Sequence, residues 1–325
     1  MPADLISINY VSKVLAGNPL KDPVERSIVV FRPVARTSAK LPLVVYLPGF
    51  GGSGMDVVAD PKPWQAMIDK LHDAGVDLIF AVVDGRNRYG CSQYINSSAS
   101  GRYEDYICDE LVPYVEKRFN CGGSALMRIV AGHSSGGFGA LRLGMSRQKL
   151  FGGVIALSPD SYFEVTHRPF TESPDTRDVG LANVEKMMPP ELAPLTALKG
   201  DAGYCLALCA DYAPAKGHSG KFEWLYDAQA KYRNDVWNRW LDNDPAVLAE
   251  RSPQPFSDKQ FVYLDGAAQD DFKANVGAAK VAGFLKVKFI KSTLDFPPGH
   301  HSDHLQERIE RGIRWYFAKP LNEIN

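Results

Sequence analysis

The chain reads as an α/β protein, with a mostly parallel central sheet flanked by helices. Three observations predict this. Short β-branched runs alternate with segments of helical spacing, the pattern left by helical crossovers between parallel strands. A small-residue turn, Gly132-His-Ser-Ser-Gly136, stands between a short apolar run and a helical one. The alternation breaks once, between about 160 and 255, and then resumes.

The elements follow in order. Residues 27–31 and 43–47 are predicted strands, because Val, Ile, Phe and Tyr fit a buried pleated surface. Residues 63–74 place Trp64, Met67, Ile68 and Leu71 on one helical face. A buried strand is expected over 78–83. A long helix over 103–119 groups Ile107, Leu111, Tyr114 and Val115, and Pro113 is expected to kink or break it. A strand over 127–130 and a helix over 140–145 flank the small-residue turn, and another strand follows at 153–157. The closing elements are a strand at 260–264, a helix over 275–285, a strand at 287–290 and a helix over 304–317.

Between these halves, prolines and aromatics crowd residues 160–255, and only 206–212 and 235–241 have helical spacing. Insertions at this point of such a sheet lie over the carboxyl edge of the strands, where ligands bind. The segment is therefore expected to be a cap-like insertion, helical and irregular, within one domain spanning 1–325. The competing reading is a packed excursion away from the site.

Composition narrows the class. Of 325 residues, 45 % are apolar and 23 % charged, as in ordinary globular proteins. The net charge of −1, with no long basic run, argues against nucleic acid as a partner. The five cysteines are odd in number, irregularly spaced and without a Cys-x-x-Cys pair. That argues against a disulfide framework or zinc site and fits a reducing compartment. The amino-terminal residues lack a basic region followed by an apolar core, and no apolar run reaches membrane-spanning length. A soluble, cytoplasmic protein with no membrane partner is expected. Oligomeric state stays open, a homodimer included.

The turn carries the chemistry. Gly-x-Ser-x-Gly between strand and helix has the context of a nucleophile elbow, centred on Ser134. A side chain two positions before or after the serine would collide with the adjoining strand or helix. The competing reading is an ordinary Gly/Ser-rich turn. Serine needs a base to take its proton. In an α/β-hydrolase the partners follow in the order Ser, Asp/Glu, His. Three of the seven histidines, His300, His301 and His304, crowd the loop before the last helix. Asp270 lies in the loop after the preceding strand, whereas Asp265 ends that strand and reads as structural. Oxyanion donors are expected from the backbone N–H of Ser135 and from Pro48-Gly-Phe-Gly-Gly52, at Phe50 before Gly51. That loop lacks the Gly-Lys-Ser/Thr ending of a phosphate-binding loop. A metal held by His300, His301, Asp303 and His304 is disfavoured, because they crowd one turn without a helical His-Glu-x-x-His pattern. His133 reads as a packed histidine whose side chain leaves the elbow on the side opposite Ser134.

With these residues in place, the chain resembles the esterase D-like esterases of the α/β-hydrolase fold. That family includes S-formylglutathione hydrolases, feruloyl and acetyl-xylan esterases, enterochelin esterases and mycolyltransferases. The resemblance rests on residues 43–52, on 84–97 (Asp-Gly-Arg-Asn-Arg-Tyr-Gly-Cys-Ser-Gln-Tyr-Ile-Asn-Ser), on 103–116, on the elbow and on 237–245. It implies Ser134 as nucleophile. The family's Gly-x-x-Asp-Glu-Tyr/Phe segment fits 266–272 with one extra residue, which places its aspartate on Asp270, with Asp271 as runner-up. Its Gly-x-His-Ser fits 299–302 and selects His301 over His300. Its oxyanion loop falls on Pro48-Gly49-Phe50, and a segment near its substrate site falls on Tyr94 and Asn96. Ser135 departs from the methionine that often follows the nucleophile, and residues 160–235 depart from the short formylglutathione enzymes.

The function these readings imply is a serine carboxylic-ester hydrolase acting through an acyl-enzyme on a small or aryl ester. No metal and no organic cofactor is implied. The alternatives are a thioesterase or acyltransferase on the same machinery, S-formylglutathione hydrolase-like enzymes included, or a catalytically silent binding protein.

Overall fold

The computed structural model of the protein describes residues 3–33, 39–198 and 200–318. Among these residues the main sheet has eight strands: β1 (Asp4–Val11), β2 (Glu25–Arg32), β3 (Leu43–Leu47), β4 (Ile79–Val83), β5 (Arg128–His133), β6 (Gly153–Leu157), β7 (Phe261–Asp265) and β8 (Ser292–Asp295). Their order is β1-β2-β4-β3-β5-β6-β7-β8. β1–β2 and β2–β4 are antiparallel, and every other pair is parallel. With helices covering both faces, this is the α/β-hydrolase fold.

The hydrophobic pattern explains the layering. β3, β4, β6 and β7 are buried along their whole length, as strands covered on both faces must be. Alternate side chains feed two cores. Leu43, Val45, Leu47, Val130 and Leu264 face one core, and Val44, Tyr46, Ile129, Ile155 and Tyr263 face the other. The helix Lys62–Asp73 buries Trp64, Met67, Ile68 and Leu71, one face at 3.6-residue spacing. The helix Leu305–Ala318 buries Ile309, Ile313 and Tyr316 in the same way.

Three local expectations change. The segment 287–290 is not a strand. The helix Ala274–Val287 runs through its first residue, Phe289 turns left-handed (φ 54°), and the strand forms at Ser292–Asp295. Val287 and Phe289 are 74 % and 92 % exposed, and of this apolar run only Ile290 enters the core. An edge strand buries little, and Ser-Thr-Leu-Asp suffices there. Pro113 breaks nothing. Residues Tyr106–Leu111 form a π-helical stretch, with the Val112 N–H reaching the Ile107 carbonyl. The widened turn accommodates the pyrrolidine ring and its missing N–H. Finally, β1 is an additional strand at the sheet edge, with only Ile8 fully buried, too weak an alternation to signal a strand.

Residues 158–255 form short helices with their own core, where Leu206, Cys209, Trp224, Trp237 and Trp240 pack on Phe138 from the main domain. Its longest helices are Asp201–Tyr212 and Asn234–Leu241. Asp244 ties the segment's start to its end, accepting the N–H groups of Tyr162 and Phe163 at 2.8 Å each. All five cysteines are buried and unpaired. Among the described residues no helix is long and apolar enough to cross a membrane.

Candidate active site

The chain leaves β5 at His133 and enters the helix Ser135–Ser146 through one strained residue. Ser134 has φ 58° and ψ −122°, a conformation that costs a non-glycine residue about 1–3 kcal/mol. The flanking glycines make it feasible. A Cβ on Gly132 would overlap the Gly136 carbonyl, and one on Gly136 would overlap the Leu47 carbonyl at the end of β3. The turn is held by three hydrogen bonds: Ser134 N–H to the Leu157 carbonyl (3.0 Å), and Phe138 and Asp160 N–H to the Ser134 carbonyl (2.9 and 3.2 Å).

Two loops bring the proposed partners to it. In the loop after β8, His301 is 6 % exposed, and its Nδ1–H donates to Asp270 Oδ2 at 2.8 Å. Its other nitrogen, Nε2, is buried without a hydrogen-bond partner. Asp270 lies after β7. Its Oδ1 accepts the N–H groups of Phe272 (3.0 Å) and Ala274 (3.1 Å), which fix the carboxylate toward the histidine. Burial pushes the Asp270 carboxyl up, but the hydrogen bond and charge of His301 and the Ala274 N–H outweigh it. The net position is below the ordinary carboxylate range.

Beneath the histidine loop lies a buried frame. Arg308, 1 % exposed, donates to both Asp265 oxygens (2.9 and 2.7 Å), to Ser158 Oγ (2.7 Å) and to the His301 carbonyl (2.8 Å). Asp265 also accepts the Ser158 N–H at 3.0 Å. His133 Nε2 donates to the same His301 carbonyl at 2.9 Å, and the two rings lie 4.6 Å apart. His133 is the packed histidine expected, 6 % exposed. Burial, reinforced by the charge of His301, pushes His133 down to about 3, so it is neutral and serves as a donor.

The loop after β3 approaches closely: a Cβ on Gly49 would lie 3.4 Å from Ser134 Cβ. A capping box at Ser53 and Asp56 fixes its far end, with the Ser53 N–H donating to Asp56 at 2.7 Å. Phe50 presents its ring to Tyr204, 5.0 Å between centroids. The Ser135 N–H opens its helix and has no intrahelical acceptor.

Ser134, His301, Gly49 and Phe50 share one cavity of about 400 Å³. Tyr94 and Asn96 lie outside it. Tyr94 is 1 % exposed and packs beneath Gly85 and Gly139, with its hydroxyl donating to the Pro48 carbonyl at 2.5 Å. It supports the loop rather than meeting a ligand. Asn96 is exposed and accepts the Asp105 N–H at 3.2 Å, away from the cavity. Sequence reading missed Asp160, Thr166, His167, Phe170, Tyr204 and Phe272, which line the cavity. Five of them come from the segment 158–255, and none lies in its two stretches of helical spacing, 206–212 and 235–241.

His300 and His301 do not converge on one point. His300 Nδ1 pairs with Asp271 at 2.9 Å on the surface, and His304 lies beside Glu307. Among the described residues no group of three His, Cys, Asp or Glu side chains is arranged to hold a metal ion.

Comparison with known structures agrees with this architecture. A ferulic acid esterase superposes with a TM-score of 0.64 at 17 % identity, covering 97 % of this chain and 98 % of its own. An S-formylglutathione hydrolase from Agrobacterium tumefaciens gives 0.61 at 15 %, with 97 % and 95 % covered. FphF, a fluorophosphonate-binding serine hydrolase of Staphylococcus aureus, gives 0.57 at 15 %, with 97 % and 99 % covered. At these identities the likeness speaks for the fold. No curated protein matches the sequence. A family model described as "Putative esterase" matches residues 25–308, nearly the whole chain, and the protein therefore belongs to that esterase family and is an esterase of the α/β-hydrolase fold.

Proposed function

We propose that the protein is a serine carboxylic-ester hydrolase in which Ser134, His301 and Asp270 act as a triad on a small or aryl ester. One observation carries this reading: His301, which lines the same cavity as Ser134, has Nδ1 committed to a buried carboxylate and Nε2 buried and unpartnered. A neutral imidazole held in that tautomer keeps its lone pair on Nε2, where a base is needed. His301 takes the Ser134 proton as Oγ attacks the acyl carbonyl, and Asp270 stabilises the imidazolium. The backbone N–H groups of Ser135 and Phe50 hold the oxyanion. The protonated His301 then gives its proton to the departing alcohol. Water, deprotonated in turn by His301, releases the acid and restores Ser134.

The segment 160–255 acts as a cap that shapes the substrate pocket. The cavity-lining positions of Asp160, Phe170 and Tyr204 support this. The test is Ser134→Ala, assayed on p-nitrophenyl acetate with folding checked by circular dichroism. Turnover is expected to fall by at least about 10⁴-fold, with loss of fluorophosphonate labelling. A folded variant with wild-type turnover refutes the assignment.

A further inference from the structure

We propose that Asp160 and Asp201 make the far wall of this cavity an anionic, aromatic-lined subsite that selects esters carrying a quaternary or protonated ammonium group. The inference rests on the esterase reading of the same cavity.

Asp160 is tied to the nucleophile. Its N–H donates to the Ser134 carbonyl at 3.2 Å, so its side chain has a fixed position relative to the reacting centre. One oxygen, Oδ2, accepts the Ser135 hydroxyl at 2.8 Å, with the Tyr204 hydroxyl at 3.5 Å. The Ser135 hydroxyl in turn accepts from Gln93 Nε2 at 3.1 Å. The other oxygen, Oδ1, has no hydrogen-bond partner among the described residues.

The rest of the wall has matching chemistry. Phe50 and Phe170 each meet Tyr204 edge-on, with centroids 5.0 and 5.4 Å apart, and Phe170 lies 6.0 Å from Phe272. Asp201 lines the same cavity and forms no ion pair among the described residues. Among the described residues no lysine or arginine lines it. Of its three buried histidines, His167 and His133 are pushed below the ordinary histidine range by burial, and His301 is the proposed base.

This sign is wrong for the chemistry alone. A site that must stabilise a developing oxyanion is hindered by uncompensated carboxylates nearby. Local departures of this kind are expected where a function requires them. A cationic group on the substrate removes the conflict. It pairs with Asp160 Oδ1, lies against aromatic faces and offsets the negative field at the oxyanion. An ester bearing a carboxylate meets repulsion instead.

The test compares isosteric ester pairs in the wild type and in Asp160→Asn. Acetylcholine against 3,3-dimethylbutyl acetate probes the alcohol side. Betaine methyl ester against methyl 3,3-dimethylbutanoate probes the acyl side. Intrinsic reactivity cancels when the cationic-to-neutral ratio of kcat/KM is compared between proteins. That ratio is expected to fall by about tenfold in Asp160→Asn for at least one pair, as loss of one close charge interaction requires. Ratios unchanged in both pairs overturn the proposal. Should the variant not fold, the wild type still decides. Tetramethylammonium is expected to inhibit turnover of p-nitrophenyl acetate competitively, and at least tenfold more strongly than tert-butanol. Equal potency overturns the proposal. Turnover with flat ratios sinks the subsite alone, whereas absent turnover together with absent fluorophosphonate labelling sinks the esterase reading with it.

Discussion

Two histidine–aspartate pairs stand one residue apart in this protein, and only one is built into the site. His301–Asp270 and His300–Asp271 have nearly equal contact lengths, 2.8 and 2.9 Å. Their surroundings are opposite. The inner pair's side chains are 8 % and 0 % exposed; the outer pair's are 64 % and 52 %. The contact itself therefore does not distinguish a base from a surface pair. What distinguishes them is the shell. Asp270 is fixed by two backbone N–H groups, and the His301 carbonyl is gripped by Arg308 and His133. The His300 ring holds the exposed Asp271, and its backbone is tied to Asp303 of the same surface turn, through its N–H and its carbonyl.

The widest separation is expected from the histidines. His301→Ala removes the proposed base, and ester turnover should fall by about 10⁴-fold or more. His300→Ala should stay within about twofold, as surface changes usually do. Steady-state kinetics on p-nitrophenyl acetate checks both. Equal losses would mean that the pairs act together and that burial is not the criterion.

The aspartates should repeat the contrast on a smaller scale. Asp270→Asn keeps an acceptor for the Phe272 and Ala274 N–H groups but loses the charge that orients and stabilises His301, so turnover is expected to drop by about 10²–10⁴-fold. Asp271→Asn should leave kcat nearly unchanged. The low position of the Asp270 carboxyl also has a sign for folding. It contributes stability above the ordinary carboxylate range, lost as pH falls through its depressed value. Acid unfolding of Asp270→Asn should accordingly be less steep than that of the wild type.

Legibility in the sequence follows the same division between local pattern and assembled shell. The alternation of apolar runs announced the sheet because β3, β4, β6 and β7 are buried on both faces, and burial writes itself as composition. Ser134 is legible because the steric demands at Gly132 and Gly136 fall within one five-residue motif, even though the atom that excludes a side chain at Gly136 belongs to Leu47. The chain order of serine, carboxylate and histidine pointed to the two loops but could not separate neighbours. That separation depended on the resemblance, since which of His300 and His301 turns inward is set by Arg308, a residue of the next helix. The strand at 287–290 was misread because Val287 and Phe289 look buried and are not. Neither Tyr94 nor Asn96 lines the cavity: Tyr94 supports the loop at Pro48 from beneath, and Asn96 lies away from it. Asp160, Phe170 and Tyr204 gave no signal, because their segment folds around tertiary contacts such as Asp244 to Tyr162 and Phe163.

The frame under His301 offers a stability test of the same contrast. Arg308→Met deletes the partner of the buried Asp265 carboxylate, and breaking a buried pair from one side costs about 3–5 kcal/mol. Asp265 is already pushed up by burial, which the contacts of Arg308 only partly offset, so losing the guanidinium favours its protonated form. Urea unfolding should show the loss, and turnover should fall with it because the His301 carbonyl loses one of its two holders. Arg311→Met, which removes a half-exposed contact to Asp295 on the same helix, should cost far less. Equal destabilisation by the two would remove the distinction between frame and surface.

The smallest effect belongs to the outer pair, and it is one of titration. His300 is raised above the ordinary histidine value first by its hydrogen bond to Asp271 and then by that residue's charge. A raised histidine contributes stability that is present below its unfolded value and lost as pH rises through the folded one. Exposure keeps this contribution minor, and salt should screen it. Titration of the His300 ring protons by NMR should place its midpoint above the ordinary value. Asp271→Asn or high salt should bring it back. The pH profile of kcat/KM should not follow. The two pairs do touch at one point, where the His301 N–H reaches Asp271 Oδ2 at 3.3 Å. A pH profile that moved with Asp271→Asn would mean that this single backbone contact carries the surface charge into the buried pair, and that the shell around His301 insulates it less than its burial implies.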